Sequence, residues 1–302
     1  MRARARPILV VVLAALAFAT SSPLARVAEG LPPVAVAAGR TALAALLLGL
    51  SQPRVAFAAY RAQTPRNALG LFAAGALLAA HFALFLGGLA TTSFAATVAL
   101  ISLEPLAVVL VAWAAFGLVP RRGERAGILL ATAGAFVVSR GAGVGEHSIK
   151  GDLMVVGAVA LYGLYVAVAR GLRDAIPAVP YAAGVYGVAA LVLTPFVIPA
   201  VRGLAPPPAS TWIALVLLAV IPTLVGHTLV QVAARTAPPT VVALISPGET
   251  VGSLAIGALL LRKWPTLIEG AGTVLILAGA VVAIRGAARG FDRGVPAVVS
   301  VE

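Results

Sequence analysis

The sequence predicts an all-α integral membrane protein. It is expected to have ten transmembrane helices, built as two inverted five-helix repeats, with both termini in the cytoplasm. Three observations predict this. Hydrophobic residues make up 61% of the 302 positions and charged residues only 11%, with a mean hydropathy of +1.05. A soluble domain carries about a quarter charged residues and under about half apolar, so a soluble enzyme and a disordered chain are both excluded. The apolar residues fall in long runs rich in Ala, Leu and Val, not in the short alternating segments of a barrel. A spanning helix takes roughly 20 such residues, and ten would leave space for tight loops only. Finally, the two halves of the chain resemble each other at a spacing of 144–146 residues.

The first run, 8–27, follows the basic stretch Met1–Arg6. A charged start, an apolar run and small residues such as Ala17 and Ala19 also describe a cleaved signal. The run continues past Pro23, however, and nine more follow, so it is read as a retained helix with a polar, breakable patch at Thr20, Ser21 and Ser22. The second run, 33–50, begins after the punctuation Gly30–Pro33 and contains Arg40; the third, 68–90, contains His81. The fourth, 93–118, contains Glu104 directly before Pro105. Proline removes a backbone donor and pushes the preceding residue away from helical geometry, so a kink is predicted beside a carboxylate. The fifth run is 125–140. The sixth, 152–170, places Tyr162 and Tyr165 three apart and so on one face. The seventh, 180–200, ends before Pro206–Pro208. In the eighth, 211–233, Thr223, His227, Gln231 and Arg235 step by four along one stripe. In the ninth, 239–261, Ser246, Glu249 and Ser253 share a face and Pro247 supplies a break; the tenth is 266–284. The domains expected are a basic cytoplasmic N-terminus (1–7), a first repeat (8–145), a second repeat (146–286) and a cytoplasmic tail (287–302).

Charge sets orientation. One set of alternate loops holds fifteen Lys and Arg, and the other holds six: Arg26, Arg140, Lys150, Arg202, Arg262 and Lys263. The richer side faces the cytoplasm. The net charge of +12 is thereby read as a topology signal and not as a nucleic-acid surface. The chain has no cysteine, which excludes disulfides, thiolate metal sites and cysteine nucleophiles.

The repeat is carried by particular residues. Val98-Ala99-Leu100-Ile101-Ser102 recurs as Val242-Ala243-Leu244-Ile245-Ser246, Glu104 matches Glu249, and His81 matches His227. Gly127 matches Gly272, Gly134 matches Gly279, Gly39 matches Gly184, Pro32 matches Pro177 and Glu29 matches Asp174. Five helices is an odd number, so the second half enters the membrane from the opposite side. Inverted repeats with broken helices at matching places are the construction of many secondary transporters, with the substrate site near the midplane.

An ionisable side chain deep in a membrane costs about 2.5–3.5 kcal/mol on insertion scales. His81, Glu104, His227, Glu249 and Arg40 are therefore candidate site residues, each needing a partner or a wet cavity. The glutamates can bind a cationic group or carry a proton, or they can be structural partners of Arg40 or a histidine. Imidazoles are suited to carrying protons. Arg40 is expected in a structural salt bridge, with Glu104 as one partner; the alternatives are an anionic substrate or the outer interface. The two stripes, Thr223, His227, Gln231 and Arg235 in the eighth run and Ser246, Glu249 and Ser253 in the ninth, are read as lining a central path, the alternative being hydrogen bonds between helices. Ser102, Tyr162 and Tyr165 complete the candidate lining. Three histidines without ligand spacing give no expectation of a metal.

The chain also resembles the drug/metabolite transporter superfamily, EamA-type, over roughly residues 8–286. The resemblance rests on Gly30-Leu31-Pro32-Pro33 followed by Gly39-Arg40, then His81-Phe82-Ala83-Leu84, Thr92-Ser93, Leu103-Glu104-Pro105 and Gly123-Glu124-Arg125. In the second half it rests on Gly226-His227-Thr228-Leu229, Ser246-Pro247-Gly248-Glu249 and the Gly-rich last run. Two positions depart from the family pattern: Thr250 stands where proline is frequent, and the ninth run ends Leu261-Arg262-Lys263. The resemblance implies export of a small metabolite, such as an amino acid or an analogue, across the inner (plasma) membrane. Protons are a candidate coupling partner, an uncoupled facilitative carrier is the alternative, and a scaffold or sensor is the remaining rival. No cofactor is expected. The partners are a small-molecule substrate and the bilayer, without nucleic acid. The chain lacks Gly-x-x-x-x-Gly-Lys, His-Glu-x-x-His and Gly-x-Ser-x-Gly motifs, so ATP coupling and an enzyme are not expected.

Overall fold

The computed structural model describes residues 2–28, 30–117, 119–141, 145–172, 175–226, 229 and 245–291, helical almost throughout. The first apolar run folds as α1 (Arg2–Ala19) and α2 (Ser21–Val27), a single span broken at Thr20. The cause is local. Pro23 has no N–H to offer the carbonyl of Ala19 four residues back, and that carbonyl instead accepts the Ser253 hydroxyl at 2.9 Å. Helix α3 (Pro33–Ser51) opens on proline, whose missing N–H costs nothing in a first turn. The next connection was expected to be a loop. It forms α4 (Pro53–Arg61), a short amphipathic helix that exposes Val55 and Phe57 and donates the Tyr60 hydroxyl to the Pro180 carbonyl at 2.7 Å.

Helix α5 (Pro65–Thr91) follows, capped by the Thr64 hydroxyl. The fourth span is α6 (Phe94–Ile101) and α7 (Glu104–Phe116). The expected kink is present but displaced: the turn falls on Ser102 and Leu103, and Glu104 is already helical. Pro105 thereby sits in the first turn of α7, where its missing donor is harmless. Helix α8 (Arg122–Ser139) closes the first half.

The second half runs α9 (Ile149–Leu172), α10 (Ala178–Val201) and α11 (Ala209–Leu218). Helix α11 continues into a π-helical segment, Ala219–Gly226. Then come α12 (Ile245–Leu260) and α13 (Leu267–Phe291). Eight stretches among the described residues are long and apolar enough to cross a membrane, and α12 is a shorter apolar helix. The terminal boundaries differ from expectation, because α1 already begins at Arg2 and α13 runs on to Phe291. Glu29, Asp174, His227, Gln231, Arg235 and the first residues of the ninth run lie outside the described residues.

Helices α8 and α13 run antiparallel along a glycine seam. Gly123 meets Gly286, Gly127 meets Gly279 and Ala283, and Gly134 meets Gly272 and Ile276. Numbers fall on one helix as they rise on the other. Gly272 and Gly279 are the sequence counterparts of Gly127 and Gly134, so each glycine meets the counterpart of the other. That reciprocity is the mark of a two-fold contact. A Cβ on Gly127 would lie 2.5 Å from the Gly279 carbonyl oxygen, so only glycine allows this approach. Other contacts are exchanged in the same way. Gly39 meets Leu215 while Gly184 meets Leu71, and Gly163 meets Ala107 while Gly252 meets Ala19. The largest buried cluster lies where α3, α5, α10 and α11 meet, directly beside the residues described next.

Candidate functional site in the centre of the bundle

Helix α5 buries His81. Its Nδ1 lies 2.9 Å from the Ala158 carbonyl, an acceptor with no proton to give, so Nδ1 carries the hydrogen. This orients Nε2 toward Glu104, 3.7 Å from Oε1. A proton on either atom joins the two. The imidazole lies nearly parallel to the Phe85 ring at 6.2 Å, with Phe82 at 5.1 Å and Tyr162 at 5.5 Å. Tyr165 extends this wall, its ring 5.9 Å from that of Tyr162. Glu104 is half-buried, with 23% of its side chain exposed, because the α6–α7 break places it at the head of a helix and not against a neighbour.

Arg40 is buried, 3% exposed. The salt bridge expected with Glu104 does not form. Glu104 takes His81 as its partner, while the Arg40 guanidinium donates to the Thr223 hydroxyl at 2.9 and 3.3 Å and to the Ser21 hydroxyl at 3.5 Å. It also lies over the Phe82 ring at 4.4 Å, a cation–π contact. The sequence prepares this seat. Pro222 withholds a donor from the Leu218 carbonyl, the Thr223 hydroxyl supplies one at 2.8 Å, and the same oxygen accepts from Arg40. Glu249, half-buried on α12, interacts electrostatically with Arg40 and with Glu104.

His81, Glu104, Glu249, Arg40, Tyr162 and Tyr165 thus lie in one region where α3, α5, α7, α9 and α12 converge. Ser102 differs from expectation: its hydroxyl donates to the Ala99 carbonyl at 2.6 Å and serves the helix break. Ser246 is half-buried, its carbonyl accepting the Thr250 hydroxyl at 3.1 Å. Ser253, expected to line a path, instead bridges two helices through Ala19. His227 and Gln231 lie outside the described residues. Sequence reasoning placed Thr223 on a polar stripe and Ser21 in a breakable patch without joining either to Arg40, and it left Phe82 and Tyr186 off the site. Thr223 and Ser21 carried a signal, each being a polar residue within two positions of a proline. Phe82 and Tyr186, a buried tyrosine interacting with Arg40, carried none. Among the described residues no three His, Cys, Asp or Glu side chains are arranged to hold a metal ion.

The arrangement offers one guanidinium, two carboxylates and an aromatic wall in an otherwise apolar bundle. Comparison with known proteins bears on what kind of molecule carries it. No curated protein matches the chain. A solved crystal structure matches 94% of this chain and 98% of its own, with TM-score 0.66 and 20% identity, a likeness of fold. The model of the EamA-like transporter family matches twice, over residues 5–140 and 149–285. The two matches divide the chain where the repeat divides it and leave only a short linker between them. This chain therefore belongs to the EamA-like transporter family, membrane transporters of small molecules.

Proposed function

We propose that the protein is a secondary exporter of small zwitterionic metabolites, amino acids or related compounds, working by alternating access in the inner membrane. The eight apolar spans together with α8 and α12 make ten crossings, with both termini cytoplasmic. The two repeats rock about the central site, and transport is coupled to protons. The observation that carries the reading is the His81–Glu104 pair, set beside Glu249, Arg40 and a tyrosine wall. A zwitterion presents an ammonium group to the carboxylates and a carboxylate to Arg40, while its side chain meets Phe82, Tyr162 and Tyr165. Ammonium binding competes with the proton that joins His81 to Glu104, and this competition links substrate release to proton uptake.

Purified protein in proteoliposomes tests this. An imposed pH gradient is expected to drive amino-acid flux, and Glu104→Gln is expected to abolish the response. Flux that ignores the gradient makes the protein an uncoupled carrier. No flux across a broad metabolite panel, with Glu104→Gln and Glu249→Gln indistinguishable from the natural protein in cells, refutes the transporter site.

A further inference from the structure

A second cluster of ionisable groups lies away from the central site. His147 stands in the linker between the repeats, 4% exposed. Its Nε2 is 2.9 Å from Oδ2 of Asp152 at the head of α9. Its Nδ1 is 3.3 Å from Oε1 of Glu269 at the head of α13, an ion-pair distance without hydrogen-bond alignment. Asp152 and Glu269 are 1% and 2% exposed. Both carboxylates also reach into the first repeat: the Thr92 hydroxyl donates to Asp152 at 2.9 Å, and the Ser93 hydroxyl donates to Glu269. Thr92 in turn accepts the backbone N–H of Ser148 at 2.9 Å. Two glycines make room for this packing. A Cβ on Gly141 would lie 2.9 Å from Nδ1 of His147, and one on Gly151 would lie 2.5 Å from Cβ of Thr92.

Above this buried layer lies an exposed one. Glu146 takes Arg26 from α2 at 3.5 Å and Lys263 from the α12–α13 connection. The Lys263 hydrogen bond holds the Glu146 carboxyl below its ordinary range. The Thr92, Ser93 and Arg26 contacts tie the first repeat to the linker and the second repeat, while the His147 and Lys263 contacts tie the linker to the second repeat. Together they lie at one face of the bundle, the face that the charge count assigns to the exterior. The two imidazole nitrogens point to different carboxylates, so the cluster has no single point at which a cation would sit.

We infer that His147, clamped between Asp152 and Glu269, the two carboxylates that accept the Thr92 and Ser93 hydroxyls, is a latch that holds the exterior face of the two repeats closed. The inference rests on the rocking mechanism proposed above, because repeats that alternate must part at this face. The His147 ring is the one side chain here that faces both carboxylates at once, Nε2 toward Asp152 and Nδ1 toward Glu269. Replacing it leaves Asp152 and Glu269, two buried acids of the second repeat, without the group between them, and loosens their hold on Thr92 and Ser93 of the first repeat.

The chain has no cysteine, so one reporter tests the latch directly. Thr97 is fully buried on α6, one turn below Ser93. In Thr97→Cys protein, labelling from outside by a membrane-impermeant maleimide is expected to be slow. Adding His147→Gln or Asp152→Asn is expected to accelerate it at least about tenfold by shifting population to the open face. Thr92→Val, which removes one side-chain donor, replaces any variant that fails to elute as folded protein. Labelling within about threefold of the reporter alone in the folded variants overturns the latch, as does acceleration by Glu146→Gln only. The readout needs no substrate. A faster label with no detectable transport therefore keeps the latch and removes the exporter, and transport with an unchanged label does the reverse.

Discussion

Arg40 shows what a buried cation requires when no carboxylate touches it. Its N–H groups are met by the Thr223 and Ser21 hydroxyls and its face by Phe82. Removing an acceptor from a buried donor costs about 1–3 kcal/mol. Thr223→Val is accordingly expected to destabilise the protein by that amount in chemical or thermal unfolding, and Thr223→Ser to restore most of it. Equal stability of the valine variant contradicts the assignment. Glu104→Gln should behave differently. His81 keeps its bond to Ala158, so the fold survives while the response of flux to the pH gradient is lost. These residues were legible one by one, because an ionisable group in an apolar run announces itself. Their partners were less so. Arg40 was assigned a carboxylate from charge alone, and the Thr223 and Ser21 hydroxyls, noted only as a stripe and a breakable patch, were not matched to it because hydroxyls are common in apolar helices. The His147 cluster was not legible. A lone histidine in a linker carries no pattern, and its partners Thr92, Ser93 and Glu269 are brought to it only by the fold.

At the scale of the element, three prolines mark the places where spans change form, although α10 carries Pro195 and Pro199 without a break. Pro23, Pro105 and Pro222 each withhold one donor, and the breaks at Thr20 and Ser102 and the π-helical segment around Thr223 lie within a few residues of them. Local steric rules act over four residues, so the breaks near Pro23 and Pro105 were legible in the sequence, although the α6–α7 turn moved to Ser102 and Leu103. The π-helical segment at Pro222 was not anticipated. Helix α4 was missed because nine residues with mixed polarity carry no span signal. One matched pair was also passed over. Glu124 and Glu269, 145 apart, are buried and cap α8 and α13: each accepts the backbone N–H three residues earlier, of Arg121 at 2.6 Å and of Thr266 at 2.7 Å. Helix packing yields its own prediction. A Cβ on Gly134 would meet backbone of Gly272 at 2.7 Å, so Gly134→Val is expected to cost about 1–3 kcal/mol. Gly270→Ala, with open space around it, should raise stability by about 0.4–1 kcal/mol. A melting series on the two variants checks both signs.

For the whole molecule, the repeat was legible because it preserved positions whose chemistry is hard to replace: glutamates in apolar helices, and glycines at backbone contacts. The fifteen-to-six division of Lys and Arg predicts that a reporter fused after Glu302 is cytoplasmic; an exterior signal refutes the inside–inside arrangement. The α8–α13 seam has a further consequence. It joins the two halves largely by backbone against backbone, with Val138 and Ile276 the bulkiest side chains that meet its glycines, and its contacts are exchanged reciprocally between the halves. In a rocking carrier such a line behaves as a fulcrum, the locus of least displacement. Paired spin labels on the lipid-facing sides of α8 and α13 should keep one separation through the whole cycle, while labels near Arg26 and Lys263 should report two.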